Sequence, residues 1–152
     1  MSSAQPHLRI ESALDFSVAI EFSGVQRHKF GHSEYRFDVC CCVMHSKGEF
    51  AYTARSICFD PQTFRDFVGQ LDAIRKGKAE KAEFREVGHM IDFSVEVRGQ
   101  KTHASVRIRE YQPNGQQTLL SASFQVDYDS FLNVLYRKAG DFVAELASME
   151  PA

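Results

Sequence analysis

Two short stretches, FDPQTF (residues 59–64) and VDYDSF (residues 126–131), share one pattern and divide the chain into two similar halves. Each contains an apolar residue, an aspartate, two further residues, a hydroxyl residue and a phenylalanine. An aspartate side chain can cap the first N–H groups of a helix, and the proline after Asp60 suits the first helical position, where its missing N–H costs nothing. We therefore expect a helix to begin after Asp60 and another after Asp127 or Asp129.

Apolar residues at helical spacing follow both aspartates, as expected for amphipathic helices. The predicted buried face of the first helix consists of Phe64, Phe67, Val68, Leu71 and Ile74. That of the second consists of Phe131, Leu132, Leu135, Ala139, Phe142 and Leu146. Arg75 and Lys76 lie in the last turn of the first helix, where cations interact favourably with the helix dipole, and Gly77 ends it.

Alternating apolar and polar residues precede the first helix. The even positions from Leu8 to Phe22 are apolar with one exception, which predicts one long half-buried strand with a bend near Ala13. Residues 35–44 form a second strand after a polar loop at residues 23–33. Residues 50–59 form a third strand whose two ends alternate out of phase, so a β-bulge is needed to reconcile them.

The second half repeats this arrangement. A short strand at residues 81–87 leads into strands at residues 90–98, 101–111 and 118–126, joined by a two-residue turn at Gly99 and by the turn QPNGQQ (residues 112–117). The predicted class is α+β, with antiparallel sheets and two amphipathic helices in the order βββα-(β)βββα. The likeness of the halves leaves two explanations open, an internal duplication or independent selection of an aspartate cap. We expect a single globular domain over residues 1–152, with an ordered core at roughly 8–147.

Length and charge limit the classes of function. The chain has 152 residues, a formal net charge of −2 and a pI near 6.3, which does not suit non-specific nucleic-acid binding. No apolar run reaches the length of a membrane span, and the N-terminus lacks the features of a signal peptide. We therefore expect a cytoplasmic protein with reduced thiols and with no membrane or nucleic-acid partner.

Three adjacent cysteines occur in FDVCCCVMH (residues 37–45). On a strand Cys41 shares the apolar face, while Cys40 and Cys42 point to the other face about 6.5 Å apart. Zinc sites usually bring thiolates together with a Cys-x-x-Cys turn, which is absent here. We expect no metal and no cofactor. The alternative is a metal- or thiol-dependent enzyme centred on Cys40, Cys42, His45 and Cys58.

Polar residues on the outward face of the second group of strands are the candidate protein-binding residues. These are Arg98, His103, Arg107, Arg109 and Tyr111. Arginine and tyrosine are enriched at interface hot spots, so this face suits docking of a partner protein. The alternative is a solvated sheet face with cross-strand ion pairs. No catalytic motif occurs, and we nominate no catalytic residue.

The stretches FRDFVGQLDAIRKGKAEKAEF (residues 64–84) and LLSASFQVDYDSFLNVL (residues 119–135), separated by a hairpin pair, resemble small bacterial immunity proteins of the WapI type. Leu71, Ile74 and Gly77 fit the family's helix ending in Leu-x-x-Leu-x-x-Gly. Asp127, with Phe131 and Leu135, fits its capped C-terminal helix. The match covers roughly residues 50–140 and lacks the tryptophans that such proteins often carry before the first helix.

This resemblance implies a non-enzymatic cytoplasmic protein that binds and neutralises a cognate toxin. It assigns no contact residue, because toxin-contact residues vary within such families. A third hypothesis is a structural domain that oligomerises, for instance as a homodimer, by pairing its exposed first strand between subunits.

Overall fold

The chain folds into two four-stranded antiparallel sheets and two helices, as seen in a computed structural model that describes residues 5–12, 16–27, 33–88 and 90–149. The first sheet contains β1 (His7–Ser12), β2 (Phe16–Arg27), β3 (Ser33–His45) and β4 (Gly48–Phe59), followed by α1 (Pro61–Arg75). The second contains β5 (Lys81–Arg85), β6 (Ile91–Arg98), β7 (Lys101–Tyr111) and β8 (Gln117–Val126), followed by α2 (Tyr128–Ala147). Each sheet has its strands in chain order. The predicted α+β class is confirmed.

Each half is therefore a ββββα unit, and the helix of each unit packs against a strand of the other unit. Helix α1 packs against β5, the first strand of the second sheet, and α2 packs against β1, the first strand of the first sheet. The helices also pack against each other. Because each helix covers a strand of the other unit, one core serves both sheets.

The long strand predicted from Leu8 to Phe22 is two strands, β1 and β2, paired with Leu8 opposite Ile20 and Ser12 opposite Phe16. Residues directly opposite each other in an antiparallel pair point to the same face. Every pair in this hairpin joins two even or two odd positions, so the alternation continues in phase through the connection. Periodicity alone cannot detect such a turn. The predicted bend at Ala13 lies outside the described residues.

The polar loop predicted at residues 23–33 is shorter than expected. Strand β2 continues to Arg27 and β3 begins at Ser33, with a shift in register between Phe22 and Gly24. A bulge accommodates one extra residue while pairing continues beyond it, so polar residues and a glycine here did not end the strand. Residues 28–32 lie outside the described residues.

The bulge predicted in the third strand, now β4, is confirmed. The pairing of β3 with β4 shifts between Phe37 and Val39, and Ser56 has a positive φ of 57°. The Ser56 N–H donates to Asp38 Oδ1 at 3.0 Å, and Arg36 Nη1 donates to Ser56 O at 3.0 Å. Two outward side chains of β3 thus hold the extra residue, and Ile57 returns to the inner face opposite Phe37.

Both predicted helix caps form, but the helices differ by one position. Asp60 Oδ1 accepts from the Gln62 N–H at 3.0 Å, whereas Asp127 Oδ2 accepts from the Ser130 N–H, one residue further on, at 2.9 Å. The buried residues of α1 are Phe64, Phe67, Leu71 and Ile74, and those of α2 are Leu132, Leu135, Ala139, Phe142 and Leu146. Phe64 is therefore the first buried residue of α1 and Leu132 the first buried residue of α2, while Phe131 is only half-buried.

The inner faces of both sheets meet in a cluster of phenylalanine rings. The Phe64 ring lies 5.5 Å from Phe37, 5.1 Å from Phe59, 5.5 Å from Phe84 and 5.0 Å from Phe142, centroid to centroid. The two sheets also touch directly, where Phe16 of β2 and Phe124 of β8 stack with their ring centroids 4.7 Å apart.

Phe64 and Phe131 occupy equivalent positions in the sequence pattern, but the one-position difference between the helices predicts that their replacement changes stability by unequal amounts. Phe64→Ala should lower the free energy of unfolding by about 3–5 kcal/mol, because it empties a fully buried site. Phe131→Ala should lower it by less than about 2 kcal/mol, because a half-buried ring loses less contact. Urea denaturation of both variants measures the difference. Equal losses would contradict the assigned helix rotation.

Candidate functional site

The outer face of the second sheet carries four of the five predicted binding residues on β7. His103, Arg107, Arg109 and Tyr111 lie at alternate positions of that strand, on the face opposite to buried Ala104, Val106 and Ile108. Arg98, at the end of β6, lies on the same face opposite Lys101. The structure therefore brings all five side chains to one face, as predicted.

Carboxylates on this face are already paired with other cations. Lys81 and Arg85 both reach Glu83 at 3.5 Å, and Arg85 also reaches Asp92 at 3.3 Å. Arg98 donates to Glu96 at 3.0 Å, which lowers the pKa of that carboxyl. Arg98 is thus largely neutralised, so this one of the five predicted residues is engaged within the protein.

Arg107 and Arg109 differ from Arg98, since neither forms an ion pair within the described part of the chain. Asp92 lies directly opposite Arg107 but is engaged by Arg85 from its other side. Arg109 lies opposite Leu119 of β8, and its Nε is buried without a hydrogen-bond partner. The exposed Arg107 guanidinium therefore remains available to a carboxylate from outside the chain, whereas the Nε of Arg109 is shielded from solvent.

Exposed apolar side chains adjoin these arginines. Tyr111 is 61% exposed and Leu119 is 54% exposed, both at the end of the sheet formed by the β7–β8 hairpin. We call Arg107, Arg109, Tyr111 and Leu119 the Arg–Tyr surface. Leu119 was not among the candidate binding residues expected from the sequence. Its neighbour Leu120 was expected to face inward, and alternation along the strand would have indicated that Leu119 faces outward.

His103 lies further along β7, separated from the Arg–Tyr surface by Ser105. Its direct neighbours across the sheet are Glu96 and Gln125, and its Nδ1 is buried without a hydrogen-bond partner. The Ser105 hydroxyl bonds to that of Ser123 at 3.0 Å. His103 is therefore at the rim of the candidate interface, and the arginines are near its centre.

The cysteines proposed as an alternative centre do not converge. Cys40 and Cys42 lie on the outer face of the first sheet, where Thr53 donates weakly to Cys40 Sγ at 3.8 Å and Cys42 Sγ donates to Glu49 at 3.1 Å. Cys58 is opposite Arg36, about 13 Å along the strand from Cys40 at the usual rise per residue. The side chain of His45 lies outside what the structure describes.

The thiol pKa values do not favour nucleophilic chemistry. Burial raises the pKa of the inward-facing Cys41 from 9.0 to about 11. The hydrogen bond to Glu49 raises that of Cys42, and partial burial raises that of Cys58. A reactive cysteine needs the opposite shift, because the thiolate is the nucleophile.

Glu86 carries a buried carboxylate, the kind of group that can act in catalysis, but its side chain binds backbone N–H groups. Its side chain accepts from the Gly88 N–H at 2.7 Å and from the Met90 N–H. A Cβ at Gly88 would lie 3.2 Å from the carboxylate, so the loop closes tightly around it. Since both oxygens hold the β5–β6 connection, Glu86 is structural.

Within the described ranges, no three histidine, cysteine, aspartate or glutamate side chains come together as a possible metal site. Among the described helices none is both long and apolar enough to cross a membrane. Comparison of the chain with known protein families, curated proteins and solved structures finds no match.

The environment of Cys41 predicts a specific loss of stability in alkali. Its pKa is raised in the folded state, so the protonated thiol stabilises the fold fully below about pH 9, and this contribution is lost as the pH rises toward 11. Cys41→Ala should be less stable than the wild type at pH 7, but its stability should fall less between pH 9 and pH 11. Urea denaturation across this range checks the prediction. Parallel curves would contradict it.

Proposed function

We propose that this chain is a non-enzymatic cytoplasmic protein-binding domain that acts as a bacterial immunity protein and neutralises a toxin by binding to it. The observation that carries the proposal is the Arg–Tyr surface. It combines two arginines without an ion pair in the described chain and two exposed apolar side chains on one sheet face. Such composition is typical of interface hot spots. The resemblance to WapI-type immunity proteins supplies the class of partner.

Charge on the rest of the face supports an acidic partner. The cations of the outer face of the second sheet are Lys81, Arg85, Arg98, Lys101, Arg107 and Arg109, and its carboxylates are Glu83, Asp92 and Glu96. Cations outnumber carboxylates, although the whole chain has a net charge of −2. A basic face of this kind speeds association with an acidic surface and disfavours basic ones.

The shape of the surface supports a protein partner over a small molecule. A ligand pocket usually encloses most of its ligand in a concave site, whereas these side chains project from the outer face of a sheet. Arg107 can contribute a bidentate bond to a carboxylate. Tyr111 and Leu119 can contribute apolar area around it, which excludes water from that bond.

The first experiment is a pull-down of tagged chain from its source cell, followed by expression of each captured protein alone and together with the chain. We expect one stoichiometric partner that arrests growth when expressed alone, with growth restored by co-expression. A stoichiometric partner that is harmless by itself would overturn the immunity function. The absence of any partner would overturn protein binding as well.

Charge reversal then tests the surface. The double variant Arg107→Glu/Arg109→Glu should weaken binding to the captured partner by about tenfold or more, which corresponds to about 1.4 kcal/mol. It should also abolish rescue of growth. Titration calorimetry with purified proteins gives the affinity.

The matched control is Lys78→Glu/Arg137→Glu, which makes the same change in net charge at exposed positions elsewhere. It should bind like the wild type. If both double variants lose affinity equally, long-range charge is responsible. If neither loses affinity, the Arg–Tyr surface is not the interface.

A further inference from the structure

Strand β1 lies at the edge of the first sheet, and its backbone has one open side. The Phe22 N–H donates to Pro6 O at 2.9 Å, which places even-numbered residues of β1 in hydrogen-bonded pairs with β2. The N–H and C=O groups of His7, Arg9 and Glu11 therefore point away from β2. Such an edge can accept a further strand.

The equivalent edge of the second unit is covered in part by the protein itself. On β5 the N–H of Glu83 donates to Gln70 Oε1 of α1 at 2.8 Å. Just beyond β5, the Val87 N–H donates to Cys58 O at the end of β4 at 3.1 Å. Two backbone donors on this side of the strand, those of Glu83 and Val87, are thus satisfied by a helix side chain and by the other sheet.

At β1 the corresponding helix residue has the wrong chemistry to do the same. Aligning the buried faces of the helices places Lys138 at the position of Gln70. Lys138 Nζ donates to Arg9 O at 3.4 Å, but an ammonium group cannot accept a hydrogen bond. The N–H groups of His7, Arg9 and Glu11 therefore have no protein partner among the residues that the structure describes.

Two hollows lie along this edge, one on each side of Lys138. The first has a volume of about 360 Å³, and its apolar lining includes Phe131 and Val134, the latter 41% exposed. The second has a volume of about 370 Å³ and contains the carboxylates of Asp141 and Glu145. Together they form a groove between β1 and α2. Its first hollow has the apolar lining, and its second holds the carboxylates of Glu11, Asp141 and Glu145 beside the cations of Arg9 and Lys138, so carboxylates exceed cations there by one.

We propose that this groove binds an extended segment of another protein, which adds to β1 as an additional strand. Main-chain hydrogen bonds to residues 7, 9 and 11 supply affinity, and alternate side chains supply specificity. The segment carries an apolar side chain toward Phe131 and Val134 and a basic one toward Asp141 and Glu145. Helix α2 packs against β1 and forms the other wall of this groove. The site is separate from the Arg–Tyr surface and does not depend on the immunity function.

The probe is a synthetic peptide with blocked ends and the sequence TVTVTKTKT, labelled for fluorescence anisotropy, in which both valines and both lysines point to the same face of a strand. The wild-type chain should bind it, and should bind the acidic peptide TVTVTETET at least about tenfold more weakly, because of Asp141 and Glu145. Failure of the basic peptide to bind, or equal binding of both peptides, would overturn the proposal.

Two substitutions at one position separate backbone pairing from charge. Arg9→Pro removes an N–H that points away from β2, a change that edge strands tolerate, and should weaken peptide binding about tenfold or more. Arg9→Ala removes the same charge but keeps the N–H, so Arg9→Pro should bind the peptide about tenfold or more weakly than Arg9→Ala does. Equal affinity of the two variants would exclude strand addition.

A second pair of measurements covers the other outcomes. If Arg9→Pro does not fold, Asp141→Lys/Glu145→Lys replaces it and should reverse the preference between the two peptides. Retained preference would overturn the proposal. Sedimentation equilibrium tests for a dimer, and a dimer whose formation prevents binding of the basic peptide would show that a second copy occupies the edge and would overturn the proposal.

Discussion

The contact between Phe64 and four other phenylalanine rings is the constraint on which the structure depends. Those rings come from β3, β4, β5 and α2, so a single side chain of α1 touches both sheets and the other helix. Neither ββββα unit covers the inner face of its sheet alone, because its helix packs against the first strand of the other unit. The two units therefore stabilise each other, and we expect them to unfold together as one cooperative domain. Aromatic rings suit this junction, since each buries a large area and tolerates edge-to-face packing.

The exchange of helices also determines which surfaces remain for binding. Both inner faces and one face of each helix are used in the core, which leaves the outer sheet faces and the sheet edges. The outer faces have different chemistry. Around Cys40 and Cys42 the first sheet presents Ser17, Ala19, Ala51 and Thr53, and its outward Arg36 and Asp38 are bonded to the bulge at Ser56. The second sheet presents rows of charge that include Arg107 and Arg109, which form no ion pair in the described chain. Small uncharged side chains contribute little binding free energy to an interface with a partner. Arginines beside an exposed tyrosine offer both charge and apolar area, which is why the function is assigned to the second sheet.

Much of this architecture is predictable from local patterns because each pattern has a direct physical cause. Asp60 and Asp127 predicted both helix starts, since a carboxylate satisfies backbone donors that the helix leaves unpaired. The conflict of phase in β4 predicted the bulge at Ser56. The β1–β2 hairpin was missed because its register preserves the alternation of apolar and polar residues. The rotation of α2 was missed because FDPQTF and VDYDSF align Phe64 with Phe131, whereas the buried faces align Phe64 with Leu132. The predicted site residues reached one face, but sequence could not show that Arg98 is engaged by Glu96 while Arg107 and Arg109 are not.

The two units differ at their edge strands, β1 and β5. A glutamine at one helix position covers the middle of the β5 edge by accepting the Glu83 N–H. The lysine at the equivalent position cannot accept the Arg9 N–H, and the neighbouring N–H groups of His7 and Glu11 also lack a partner in the described chain. An open edge is a hazard for a stable protein, because it can pair with any exposed strand, and proteins commonly cover or charge such edges. Here Arg9, Glu11 and Lys138 place charge along the edge, which opposes indiscriminate pairing without satisfying the backbone donors. The β1 edge therefore combines charged side chains with backbone groups that have no partner in the described chain. This combination suits a selective partner strand, because only a segment with complementary side-chain charge is stabilised when it pairs with β1.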